Sequence, residues 1–137
     1  MPLTATRPLA RRVGPAARLL PAEAATAEVV ARCFRALGDR ARLRLLAFLL
    51  DGEHTVGECV AHVGLSQGRV SVHLACLAGC GYVQSRRAGR RAFYRVADRR
   101  VADLVAMARA LAADNTAALA ACRRIDPSPT IHGATHR

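Results

Sequence analysis

The stretch TVGECVAHVGLSQGRVSVHLACLAGCG, residues 55–81, holds two short helical patterns and the turn between them. Thr55 and Glu58 have capping-box spacing, in which each side chain takes a backbone N–H of the other residue, so a helix is predicted to start at Thr55. Val56, Cys59, Val60 and Val63 fall on one face of it, and Gly64 stops it. After the turn Gly64-Leu65, Ser66 can cap a second helix with Val70, Leu74 and Leu77 on its inner face. Gly81 stands just past its end, where a left-handed residue closes a helix. Two short helices joined by a tight glycine-containing turn make a helix-turn-helix.

Upstream, a helical pattern begins at Glu23, with Val29, Val30, Cys33, Phe34 and Leu37 on one face and Gly38 closing it. Asp39 is a good N-cap for the next helix. The apolar set of that helix, Leu43, Leu45, Leu46, Leu49 and Leu50, is wide enough for deep burial. Asp51-Gly52 ends it. Downstream the period changes. Tyr82–Arg86 and Arg91–Val96 read as strands around the turn Arg87-Ala88-Gly89-Arg90, which is a β-wing rich in arginine. A long helix follows Asp98, with apolar residues at 101, 104, 105, 108, 111, 112, 118 and 119. That stripe exceeds the needs of a small core and suggests helix-on-helix dimerisation. The expected fold is mainly α with a small β-hairpin: a winged helix-turn-helix of order α-α-α-α-β-β-α, a homodimer through its terminal helices. Residues 1–22, with Arg7, Arg11, Arg12, Arg18, several prolines and no acid, read as a flexible basic arm. Residues 23–126 read as the DNA-binding and dimerisation domain, and 127–137 as a flexible tail.

The chain carries 21 basic residues against 10 acidic ones, a formal net charge of +11, and every basic residue is arginine. Such an imbalance points to a polyanion, DNA or RNA, and the helix-turn-helix with its basic wing makes double-stranded DNA the expected partner. No apolar run reaches the roughly 18 residues of a membrane span. The N-terminal arginines are not followed by a continuous apolar run, so no signal peptide is read and a cytoplasmic location is expected. No Cys–His–Asp arrangement or glycine-rich phosphate loop suggests an enzyme.

With Val70, Leu74 and Leu77 turned inward, Gln67, Arg69, Ser71 and His73 lie outward near the start of the second helix. These residue types suit base edges and phosphates, and that half of the helix enters the major groove in this motif. Arg86, Arg87, Arg90 and Arg91 of the wing would follow the adjacent backbone or minor groove. The five cysteines, Cys33, Cys59, Cys76, Cys80 and Cys122, stand in a chain read as cytosolic, where ligands, redox thiols or small core residues are expected rather than disulfides. Cys59 shares the face of Val56, Val60 and Val63 and reads as core, as does Cys33 beside Phe34, although the N-terminal helix could bring Cys33 near Cys122. Cys76 and Cys80 are four residues apart and stack on one helix flank, so both sulfurs can reach one ion. Two thiolates make a weak site, and Cys122, from either subunit, could add a third. Thiolates select soft or borderline metals: Cd, Pb, Hg, Zn, Cu(I) or As(III). His54 and His62 read as surface residues.

Leu37-Gly38-Asp39-Arg40-Ala41-Arg42-Leu43-Arg44-Leu45-Leu46 resembles the opening signature of the ArsR–SmtB family of metal-responsive repressors. Residues 65–74 and the wing Gly89-Arg90…Tyr94 do so as well, and the resemblance covers about residues 25–121. It implies a homodimeric winged helix that binds an operator and lets go when an inducer metal binds. Residues 74–81, with Cys76 and Cys80, are similar to the recognition-helix site of the cadmium- and lead-sensing CmtR type, which takes a third cysteine near the C-terminus at a distance that Cys122 matches. The implied metal set is therefore Cys76, Cys80 and Cys122, and the implied inducer a soft heavy metal: Cd, Pb or Hg. The Cys-x-Cys arsenic-type site is absent, since only Cys59 stands there. The last helix lacks the histidine of the zinc- or nickel-type site. An arsenite-responsive repressor and a thiol redox-sensing repressor of the same fold are the alternatives.

Overall fold

The computed structural model describes residues 24–125. The expected arm (1–22) and tail (127–137) lie outside them. Four helices come first: α1 (Ala24–Leu37), α2 (Arg40–Leu50), α3 (Val56–Val63) and α4 (Gln67–Gly79). Strands β2 (Val83–Ala88) and β3 (Arg91–Val96) form the wing, and α5 (Arg99–Asp114) and α6 (Thr116–Ala121) end the described chain. A two-residue strand, β1 (His54–Thr55), precedes α3 and pairs antiparallel with β3, giving the sheet order β1-β3-β2.

The start and stop signals work as the side chains dictate. Asp39 accepts the Arg42 N–H at 3.0 Å and caps α2. Thr55 and Glu58 form both halves of a capping box on α3. Ser66 accepts the Arg69 N–H at 3.2 Å and caps α4. Gly64 (φ +74°) and Gly81 (φ +84°) take the left-handed conformation that lets the chain leave α3 and α4 without a Cβ clash.

The wing and the terminal helix differ from expectation. The wing strand continues through Ala88, which pairs with Arg91, so the hairpin turn is only Gly89-Arg90. Gly89 at φ +67° supplies the positive φ that such a tight loop needs. The terminal helix is also broken. Asn115 leaves helical geometry (φ −126°, ψ 23°) while its side-chain amide donates to the Leu111 carbonyl at 2.9 Å. The Thr116 hydroxyl donates to the Ala112 carbonyl at 2.9 Å. Side chains that bond the preceding turn compete with the helix ladder.

The described residues divide into two compact units, through Ala102 and from Asp103. In the first, Leu45, Leu46, Cys59, Val70, Leu74 and Leu77 are fully buried. Each such aliphatic side chain stabilises the fold by about 1.5–3 kcal/mol. Leu43 and Leu50 lie at the surface instead, and α1 keeps Val29, Val30 and Phe34 exposed, burying Ala36 and Leu37. Phe48 of α2 is sandwiched by two imidazoles, His54 at 3.8 Å and His62 at 4.1 Å between ring centroids, both nearly parallel to it. These histidines, expected as plain surface residues, join α2, β1 and α3. The second unit exposes Met107, Leu111, Leu119 and Ile125. No helix among the described residues is long and apolar enough to cross a membrane.

Candidate nucleic-acid interface and thiol site

The helix-turn-helix is held rigid by arginines that bond carbonyls at helix ends. Arg44 of α2 donates to the Val63 and His62 carbonyls at 3.2 and 3.0 Å, satisfying the end of α3 where no intrahelical partner remains. Arg42 donates from Nε to the Ala36 carbonyl at 2.6 Å and from its terminal nitrogen to the Arg35 carbonyl at 3.2 Å, closing α1 in the same way. Its other nitrogen lies 3.3 Å from His73 Nδ1. Burial pushes the Asp39 carboxyl up, but the Arg42 N–H and the charges of Arg42 and His73 outweigh it and leave its pKa lowered.

On α4 the outward residues near the start are Gln67, Arg69, Ser71 and Val72, all exposed, opposite buried Val70, Leu74 and Leu77. Val72, 68% exposed, was not singled out by sequence, although its place between Ser71 and His73 puts it on the outward side. An exposed valine among polar side chains is an apolar contact point of the kind that packs on a methyl group. His73 is half-buried and turned to Arg42 rather than freely displayed.

The wing is exposed along β2 beyond Val83. Its arginines divide by geometry. Arg86 makes two 2.8 Å bonds to the Glu53 carboxylate, and its guanidinium stands 4.8 Å from the Phe93 ring centroid. That fork holds the base of the wing to the loop after α2, and the Arg86 bond is the main reason the Glu53 carboxyl is lowered. Arg87, Arg90 and Arg91 are exposed toward the wing tip.

Among the thiols, Cys76 is half-buried and Cys80 exposed, and the Cys80 N–H donates to the Cys76 carbonyl at 3.1 Å. Burial of its thiol raises the Cys80 pKa, and the neighbouring Cys76 thiol, hydrogen-bonded to it, adds to the rise. The two residues stand one helical turn apart at the end of α4. Cys59 is fully buried and its thiol is pushed up to about 11, first by burial, so it is a core residue as expected. Cys33 departs from the expectation of core: it is half-buried, and the Tyr82 hydroxyl is shared between its Sγ (2.8 Å) and its carbonyl (3.0 Å). Burial and this bond raise the Tyr82 pKa. Cys122 is exposed at the end of α6 in the second unit. Among the described residues no three His, Cys, Asp or Glu side chains already stand close enough to hold an ion.

The family described as "Bacterial regulatory protein, arsR family" matches residues 39–85. A probable mercury resistance operon repressor of Streptomyces lividans is 60% identical over 108 residues, 74% of this chain and 86% of that protein. The HTH-type transcriptional regulator CmtR of Mycobacterium tuberculosis is 47% identical over 73 residues, 53% of this chain and 62% of that protein. The crystal structure of Rv0081 from M. tuberculosis superposes with a TM-score of 0.65 at 32% identity, covering 70% of this chain and 97% of that one. The solution structure of the homodimeric winged helix-turn-helix DNA-binding domain Mb0332 from Mycobacterium bovis gives 0.61 at 34% identity, covering 73% and 92%.

Proposed function

Because the chain belongs to the ArsR family of bacterial regulatory proteins, we propose that it is a cytoplasmic repressor whose metal-free dimer holds operator DNA and releases it when a thiophilic ion (Hg(II), Cd(II) or Pb(II)) binds Cys76, Cys80 and Cys122. The observation that carries this reading is the pair Cys76/Cys80, two thiols one helical turn apart at the end of the helix whose start bears Gln67, Arg69 and Ser71. The mercury resistance function named for the Streptomyces relative supports a soft metal, and Hg(II) first among the three.

The donor set fits such an ion. Thiolates favour soft metals, and Cys76 and Cys80 reach one ion by i,i+4 spacing. Gln67, Arg69, Ser71 and Val72 read base edges in the major groove, while Arg87, Arg90 and Arg91 take the adjacent phosphates. His73, held by Arg42, sits at the rim of this surface. Dimerisation, supported by the exposed apolar positions Met107, Leu111 and Leu119 of the last helices, would set two α4 helices about 34 Å apart, one turn of DNA. An ion on Cys76 and Cys80 acts at the back end of the reading helix. A coupling of about 1–3 kcal/mol suffices to change DNA affinity 5- to 150-fold.

The test is fluorescence anisotropy of labelled upstream DNA with reduced protein, titrated with Hg(II), Cd(II) and Pb(II). Release at one ion per subunit, abolished in Cys76→Ser and Cys80→Ser, is expected. Unchanged release in both variants would sink the reading.

A further inference from the structure

We propose that Cys33 of α1 joins Cys76 and Cys80 in the thiolate set that captures the metal, so that the ion ties α1 to the end of the reading helix. This deepens the metal-responsive reading and rests on it. The Tyr82 phenol links the thiol of α1 to the end of α4 that carries the other two. The Tyr82 N–H is bonded to the Leu77 carbonyl at 2.9 Å, which seats the residue against the end of α4. The left-handed Gly81 before it turns the chain, and the Tyr82 hydroxyl meets Cys33, 49 residues away, at 2.8 Å from Sγ. Cys80 stands two residues before Tyr82 and Cys76 one helical turn earlier, and the thiols of Cys33, Cys76 and Cys80 all bear electrostatically on Tyr82.

Cys33 is also well placed to move. It lies one turn before the buried Ala36 and Leu37 that anchor α1, and its sulfur is half-buried rather than locked in the core. In the metal-free protein Cys33 is engaged by Tyr82, and Cys33, Cys76 and Cys80 do not yet stand close enough together to hold an ion, so capture draws Cys33 away from the phenol. Capture exchanges a weak O–H···S bond for a sulfur–metal bond. Each participating thiol gives one proton to solvent and one electron pair to the ion; no oxidant or reductant is needed. Tyr82 keeps its proton and loses a partner.

The balance gives the experiment. Cd(II), an ion not satisfied by two sulfurs, is added at one equivalent to the reduced full chain in weak buffer at pH 7. Protons released per ion, sulfur-to-cadmium ultraviolet absorption and tyrosine emission are followed together. The chain has no tryptophan and only Tyr82 and Tyr94, so emission reports directly on the phenols. The expected result is one proton fewer in Cys33→Ser than in the parent, and one fewer in Cys33→Ser/Cys122→Ser than in Cys122→Ser. A tyrosine emission change in the parent, absent in Tyr82→Phe with the proton count kept, is expected as well. Equal proton counts with and without Cys33 overturn the proposal while leaving the metal reading intact. Should Cys33→Ser fail to fold by circular dichroism, the Tyr82→Phe comparison decides. Emission that does not respond to Cd(II) in the parent, or responds equally in Tyr82→Phe, overturns the proposal. Neither protons nor absorption in the parent overturns both readings.

Discussion

Cys59 and Cys80 both have thiols raised by burial, but only Cys80 is open to solvent. Cys59, fully buried with its thiol pushed up to about 11, stays protonated and unreactive near neutrality. Brief alkylation of the native protein at pH 8, read by mass spectrometry, is expected to label exposed Cys80 and Cys122 and to leave Cys59 untouched until unfolding. Cys59→Ala is expected to cost on the order of 1 kcal/mol in denaturant titration and to leave metal stoichiometry unchanged. The Glu53–Arg86 fork yields a pH prediction at the same scale. The Glu53 carboxyl is lowered from 4.5 in the folded state, chiefly by the Arg86 bond. Its contribution is therefore present above 4.5 and lost as pH falls through the folded value. Glu53→Gln is expected to flatten the acid limb of a stability–pH curve, with a smaller difference at high salt because the pair is partly exposed. Full acid sensitivity in that variant would count against the fork.

Helix ends decide how the elements are placed. Gly64 at φ +74° has open space where a Cβ would go, so Gly64→Ala meets backbone strain alone; a loss of about 1–2 kcal/mol is expected. Gly68, inside α4 and equally unobstructed, should respond in the opposite direction. Gly68→Ala is expected to gain up to about 0.5–1 kcal/mol through lower unfolded-state entropy. Thermal unfolding of the pair checks both signs. These ends were legible in the sequence because their signals are local: Asp39, Thr55 with Glu58, Ser66, Gly64 and Gly81 each act within about four residues. What sequence missed acts at long range. β1 exists only because His54 and Thr55 pair with Tyr94 and Phe93. Arg42 reaches His73 across 31 positions, and Tyr82 reaches Cys33 across 49. No periodicity encodes such partners. The break at Asn115 was local yet hidden, because an apolar stripe continues across it and the competing bonds come from polar side chains off that stripe.

For the molecule as a whole, a net charge of +11 makes DNA affinity steeply salt-dependent, since each phosphate neutralised releases counterions. Arg87→Ala and Arg90→Ala are each expected to lower the slope of log K against log salt by about 1, while weakening all sequences alike. Arg69→Ala should instead blur discrimination between operator and mutated operator. Anisotropy at several salt concentrations separates the two kinds of arginine. Equal slopes for parent and wing variants would place the wing off the DNA. The family and the helix-turn-helix were readable because the motif is contiguous. The partition of wing arginines into one that braces and three that face outward was not, because Glu53 lies 33 positions from Arg86 in the chain.

The stack of His54, Phe48 and His62 gives the protein a spectroscopic voice. Two imidazoles lying flat over the faces of one benzene ring at 3.8 and 4.1 Å sit in its shielding cone. Their carbon-bound protons should resonate upfield of those of an unstacked histidine in a proton spectrum, and Phe48→Leu should return them to ordinary positions. Because the three rings belong to α2, β1 and α3, these two resonances form a built-in gauge of how the helix-turn-helix is seated, readable while DNA or metal is added.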